Sequence, residues 1–164
     1  MSEQKVVNVV VAGLGGQGVV KASDILADVA FRAGLDVKKS EIHGMSQRGG
    51  SVASDVRFGP RVNSPMITRG EADCLIVVAP DQMDVNRHVL KPGGVLVSPE
   101  ALANVPGKLQ AKSINVALLG VLSTHLDLPV EIWEEAIKAN LAEKHHKLNL
   151  EAFAQGRAAA AQQA

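Results

Sequence analysis

A glycine-rich hexapeptide, Gly13-Leu14-Gly15-Gly16-Gln17-Gly18, joins an apolar β-branched run to a stretch of helical periodicity. This junction constrains the fold more than any other segment. Residues 6–12 are apolar except at Asn8, which reads as a strand buried on both faces. Val19, Ala22, Leu26, Val29 and Ala33 then recur at helical spacing, and Gly34 supplies the stop. Gly13, Gly15 and Gly18 fit G-x-G-x-x-G in the strand–turn–helix context that a dinucleotide- or phosphate-binding turn requires. Glycines there permit the tight turn and let a ligand or another backbone come close, while free N–H groups at the helix start favour an anion. Glu41 ends the next strand and meets the requirement for an acidic partner to a ribose hydroxyl. The same turn also serves for packing alone or for a subunit contact, and the hexapeptide by itself does not decide between these uses.

Strand and helix patterns alternate along the rest of the chain. Residues 36–40 read as a second strand, 41–50 as a polar loop, and 51–58 as a half-exposed strand with Val52, Val56 and Phe58 on one face. Residues 74–79 form another apolar run. Asp81 then caps a helix extending to about Leu90. Lys91-Pro92-Gly93-Gly94 reads as a turn, 95–98 as a strand and 109–114 as a last strand. Residues 115–126 are apolar nearly all round, which predicts a buried helix. Pro129 opens the next helix, with Ile132, Trp133, Ala136, Ile137 and Leu141 on one face. Asn149 caps a final helix whose alanine-rich end, about 155–164, is expected to fray. The pattern predicts one α/β domain over residues 1–164, three-layered and Rossmann-like, with a mainly parallel sheet and C-terminal helices.

Composition narrows the function. The chain has 164 residues, 46% hydrophobic, with 17 basic residues balanced by 17 acidic ones. A neutral chain lacks the basic surface that nucleic-acid binding uses. Aromatic residues are Phe31, Phe58, Phe153 and Trp133, with no tyrosine, so stacking platforms for bases have little material. Cys74 is the only cysteine, which excludes a disulfide within the chain and any iron–sulfur cluster held by this chain alone. Its place in an apolar strand marks it as inert, and a lone cysteine suits a reducing cytoplasm. No apolar run reaches the length of a membrane span, and the polar first residues do not read as a signal peptide.

The most unusual segment is Glu41-Ile42-His43-Gly44-Met45-Ser46-Gln47-Arg48-Gly49-Gly50-Ser51. In an open parallel sheet it leaves the same edge as the first glycine turn, so the two loops are expected to face one crevice. Arg48 beside Gly49 and Gly50 suits a phosphate or carboxylate, with backbone N–H groups helping. A histidine at position 43 suits proton exchange with a ligand, but bracing the loop or a partner is the favoured use. His145 and His146 between two lysines read as a solvated helix end rather than a metal site, and Glu134 with Lys138 as a solvated i,i+4 pair.

Gly15-Gly16-Gln17-Gly18, followed by Glu-x-His-Gly-Met-x-Gln-Arg-Gly-Gly-Ser, resembles the gamma subunits of 2-oxoacid:ferredoxin (acceptor) oxidoreductases, a family that includes the beta subunit of indolepyruvate ferredoxin oxidoreductase. The resemblance continues through Ser64-Pro65, Gly70-Glu71-Ala72-Asp73, residues 115–120 and residues 148–153. It covers nearly the whole chain, although this copy is short and closes in an Ala/Gln tail. The resemblance implies a non-redox, accessory subunit of a cytoplasmic complex that oxidatively decarboxylates a 2-oxoacid with coenzyme A, giving acyl-CoA, CO2 and reduced ferredoxin. It places thiamine diphosphate, magnesium and 4Fe–4S clusters in alpha, beta and ferredoxin-like delta partners, and coenzyme A near the gamma domain. On this reading Gly13, Gly15, Gly16, Gln17, Gly18, His43, Gln47, Arg48, Gly49, Gly50 and Ser51 form the binding edge, with no catalytic residue and no metal ligand in this chain. Neither a nucleic acid nor a membrane is expected as partner. Two other readings stay open: a free-standing dinucleotide- or phosphate-binding domain, and a purely structural subunit.

Overall fold

The computed structural model describes residues 5–43, 50–107 and 109–162. Five strands form one sheet: β1 (Val7–Leu14), β2 (Asp36–His43), β3 (Ser51–Gly59), β4 (Ala72–Val77) and β5 (Leu90–Val97). Five α-helices accompany them: α1 (Val19–Arg32), α2 (Met83–Asn86), α3 (Ile114–Ser123), α4 (Val130–Asn140) and α5 (His146–Gln162).

The sheet order is β2-β3-β1-β4-β5. β4 runs parallel to β1 and β5 parallel to β4, while β3 runs antiparallel to both β1 and β2. The sheet is therefore mixed, not mainly parallel. After α1 the chain returns two strand positions away from β1, and β3 then folds back to fill the gap. Residues on the two sides of that gap pair closely, from Val7↔Phe58 to Leu14↔Ser51 and from Asp36↔Gly59 to His43↔Val52. A hairpin return and a parallel crossover give the same hydrophobic alternation, so periodicity does not distinguish them.

β1 is buried on both faces. Val9 and Val11 face a large core shared with α1, α3, α4 and α5, while Val10 and Ala12 face a smaller cluster with Leu75 and Val77. Long helices lie on the first face only. The second is covered by single-turn pieces around α2 and by side chains such as Ile67, Met83 and Val89, so the expected third layer is rudimentary. Asn8, the polar break in β1, is fully engaged: its N–H donates to Asp73 (2.8 Å), its amide to the Glu71 carbonyl (3.1 Å), and its oxygen accepts from Arg57 (2.8 Å).

Local departures from the predicted pattern have physical causes. Lys91-Pro92-Gly93-Gly94 lies inside β5 as an irregularity, with Gly93 at φ +78 and a register shift against β4. Residues 109–114 form no strand; a 3-10 turn over Ala111–Ser113 leads straight into α3. Ala79, not Asp81, precedes the turn that opens at Pro80, and the expected helix to Leu90 is divided between 3-10 turns and α2. Asn149 lies inside α5 and is buried; its side chain donates to the His145 carbonyl (2.8 Å). α5 continues to Gln162 because Gly156 and Ala159 are buried. A Cβ at Gly156 would fall on the Ala117 carbonyl oxygen, and one at Gly120 on that of Phe153. These glycines let α3 and α5 touch backbone to backbone.

Candidate functional site

The β1–α1 turn is held by its own side chains. Gln17 does not project from the helix start; its side-chain oxygen accepts the Leu14 N–H (2.8 Å) and closes the turn. A Cβ at Gly13 would lie 2.9 Å from Val19 Cγ2 and 3.3 Å from Val78, so that glycine lets strand, helix and β4 exit converge. Gly18 precedes α1 with φ +76, and its carbonyl receives the Ala22 N–H (2.9 Å) and the Asn115 amide (3.1 Å). Gly16, at φ +85, is exposed, and a Cβ there would meet nothing within 4 Å. α1 begins without a side-chain cap and without an acidic residue in its first turn. The partial positive charge at such a helix start favours an anion.

The two glycine segments share one edge, as expected, although by an antiparallel route. β1 and β2 both end where β3 begins, and the Gly15 N–H donates to the Gly50 carbonyl at 2.8 Å. Ser51 Oγ donates to Gln82 Oε1 (2.8 Å), linking this edge to the β4 exit. His43 is exposed at the end of β2 and shares a hollow of about 300 Å³ with Gly15, Gly16, Gly18 and Lys21. Its ring lies 3.7 Å from Glu41. Gln47, Arg48 and Gly49 lie outside the described residues.

Glu41 does not stand where a ribose-binding acid would. β3 separates β2 from β1, so Glu41 lies two strand spacings, about 10 Å, from the first strand. Its carboxylate is also held by Lys39, which contacts Asp24 (2.7 Å) and Ser23 (3.0 Å) as well. Burial works against the Lys39 charge, but the hydrogen bonds from Asp24 and Glu41 outweigh it and hold the ammonium above the usual lysine range.

On the other side of the turn lies a groove of about 540 Å³, lined by Gly16, Gln17, Gly18, Lys21, Lys112, Asn115, His145 and Asn149 among others. Its volume falls in the range of small-molecule clefts. Lys21 and Lys112 are exposed, and no described carboxylate lines it. Spacing singles out the glycine side of this groove but not the α3 and α5 side: Asn115 is 97 positions from Gly18 in the chain. The only signal near them was that residues 115–120 and 148–153 carried the family resemblance. His145 lines this groove. His146 Nε2 lies 2.9 Å from the Lys138 carbonyl and 2.8 Å from that of Leu141, closing the end of α4.

Cys74 is 3% exposed. Burial, followed by the Asp73 charge, pushes its thiol up to about 11, which keeps it protonated and unreactive. Among the described residues no group of His, Cys, Asp and Glu is arranged to hold a metal ion, and no helix is long and apolar enough to cross a membrane.

Comparison with known proteins agrees with this architecture. The family model for pyruvate ferredoxin/flavodoxin oxidoreductase matches residues 8–112. The indolepyruvate oxidoreductase subunit IorB of Archaeoglobus fulgidus is 33% identical, over 91% of this chain and 92% of its own length. The pyruvate/ketoisovalerate oxidoreductases common subunit gamma of Thermococcus kodakarensis is 32% identical, over 86% and 92%. Among solved structures, the keto/oxoacid ferredoxin oxidoreductase gamma subunit from Geobacter sulfurreducens aligns with a TM-score of 0.76 at 23% identity, covering 96% of this chain and 98% of that one. The 2-oxoglutarate:ferredoxin oxidoreductase from Magnetococcus marinus, with 2-oxoglutarate, coenzyme A and succinyl-CoA bound, aligns with a TM-score of 0.80 at 22% identity; it covers 98% of this chain and 32% of that one. At these identities the structural matches speak for the fold. The sequence matches carry the assignment: the chain belongs to the pyruvate ferredoxin/flavodoxin oxidoreductase family, as a gamma-type subunit of a 2-oxoacid:ferredoxin oxidoreductase.

Proposed function

We propose that this subunit lines the coenzyme A side of the reaction, with its two glycine segments turned toward the thiamine-dependent partner subunits. One observation carries the reading: both segments emerge on one sheet edge, tied by the Gly15–Gly50 hydrogen bond, beside a groove bearing Lys21 and Lys112. That arrangement fits the phosphates of coenzyme A. Two ammonium groups and an uncapped helix start supply positive charge, and Gly16 leaves room for close approach. Coenzyme A supplies the thiol that accepts the acyl group once the 2-oxoacid has lost CO2. This chain's share is to bind and orient that carrier. Arg48 would add a bidentate contact to a phosphate or to a carboxylate of the alpha subunit. Alpha, beta and ferredoxin-like delta partners would hold thiamine diphosphate, magnesium and 4Fe–4S clusters and pass electrons to ferredoxin. The bound ligands of the Magnetococcus relative support the substrate class.

The test is anaerobic capture of the tagged chain from its host, followed by 2-oxoacid-dependent dye reduction at varied coenzyme A. Lys21→Ala and Arg48→Ala are expected to raise the KM for coenzyme A several-fold in an intact complex. Normal assembly with unchanged kinetics would leave a purely structural subunit. A rise in melting temperature of the isolated chain with NAD, NADP or FAD would instead favour a dinucleotide site, since a ligand specific to the folded state stabilises it by mass action.

A further inference from the structure

The two edges of the sheet are built differently. At β5, Pro92 brings no N–H, Gly93 turns to φ +78, and the register with β4 shifts between Ala72 and Cys74. An edge interrupted in this way resists further strand pairing. β2 is the opposite case. Its eight residues keep unbroken register with β3, contain no proline or bulge, and pair with no described strand on their outer side. Exposed apolar side chains border this edge on both faces. Ile42, 61% exposed, lies on the face without long helices. Phe31, 70% exposed, sits seven residues after Asp24 on α1, on the flank whose Asp24 reaches Lys39 of β2.

We propose that β2 is a self-pairing edge, at which two copies of this chain join antiparallel about a twofold axis through Ser40. An axis normal to the sheet keeps both helix layers on one side, so directly opposed residues must share a face. A register centred on Lys39 opposes two lysines, and one centred on Glu41 opposes two carboxylates. Registers centred nearer either end engage less of the strand. The register centred on Ser40 sets each Lys39 against the partner's Glu41, Lys38 against the partner's Ile42, and Val37 against the partner's His43. Unlike charges directly opposed stabilise a strand pair, and like charges weaken it. The helices also clear one another. α1 lies chiefly over β3, and the two β3 strands would stand three strand spacings apart, about 14 Å. Packed helices need only about 8–10 Å. The paired edge shares Glu41, Ile42 and His43 with the start of the second glycine segment, but its test reads association between copies and not coenzyme A kinetics.

The experiment uses Ser40→Cys in the assembled complex. Directly opposed residues in an antiparallel pair lie about 4.5–5.5 Å apart at Cα, within disulfide range. Cys74, buried and protonated, gives no background. Mild oxidation is expected to yield a disulfide-linked dimer of this chain. Lys38→Cys, about 14 Å from its counterpart in this register, is expected to stay unlinked. On the isolated full chain, light scattering is expected to show a dimer that Glu41→Lys abolishes. Mixing Glu41→Lys with Lys39→Glu is expected to restore a mixed dimer, with circular dichroism checking that Lys39→Glu is folded. A wild-type monomer, a Glu41→Lys dimer, equal linking through position 38, or a Ser40→Cys link only to another subunit would each overturn the proposal.

Discussion

Glycine does unlike work at the α3–α5 crossing and at the β1–α1 turn. At the crossing, Gly120 and Gly156 are buried, and any added Cβ meets the opposing backbone. At the turn, Gly16 and Gly18 hold positive φ, and Gly16 opens onto empty space. The first pair closes a gap that nothing else must enter. At the turn, Gly18 makes room for the Asn115 amide, and Gly16 leaves a surface that something else can approach. A glycine thus marks a site by what its missing side chain leaves room for, and only the folded surroundings tell the two uses apart.

Substitutions separate these roles. The largest effect is expected at Gly156→Ala, where neither backbone can yield without parting the helices. Overpacking typically costs 1–3 kcal/mol, and this case belongs at or above about 3 kcal/mol. Thermal denaturation should show a melting temperature lower by roughly 6–12 °C. Gly18→Ala comes next. The left-handed conformation costs roughly 1–2 kcal/mol, and the Asn115 amide must also leave the Gly18 carbonyl. Denaturant unfolding should show a loss of about 2 kcal/mol. Asn115→Ala removes that hydrogen bond alone and is expected to cost about 1 kcal/mol. Gly16→Ala carries a conformational penalty of roughly 1 kcal/mol with no clash. Here the contrast sharpens: stability changes least, yet the KM for coenzyme A in the assembled enzyme is expected to rise. A Gly156→Ala chain as stable as wild type, or a Gly16→Ala chain with unaltered KM, would erase the distinction.

The β1–turn–α1 unit is legible in the sequence because a continuous apolar run and a helical stripe meet at the glycines, and local spacing carries all of that information. Strand direction is not local. Val52, Val56 and Phe58 give the same alternation whichever way β3 runs, so the mixed sheet and the displacement of Glu41 emerge only from pairing. The irregularity at residues 91–94 resembles a turn because proline and glycine punctuate both. At the site, the shared edge of the two glycine segments is readable, since β1 and β2 do run the same way. Lys21, Lys112 and Asn149 are not, because residues far apart in the chain meet only when α3 and α5 pack beside the turn.

Trp133 is the only tryptophan, and the chain has no tyrosine. It is fully buried, and its ring stacks on Phe153 with centroids 5.7 Å apart. Emission excited beyond the phenylalanine absorption band therefore originates at a single place, where α4 meets α5. The folded chain should emit toward the blue from that dry environment, and loss of helix docking should shift the band to the red. The helical layer thus carries its own optical gauge, with no label to attach and no second indole or phenol to subtract.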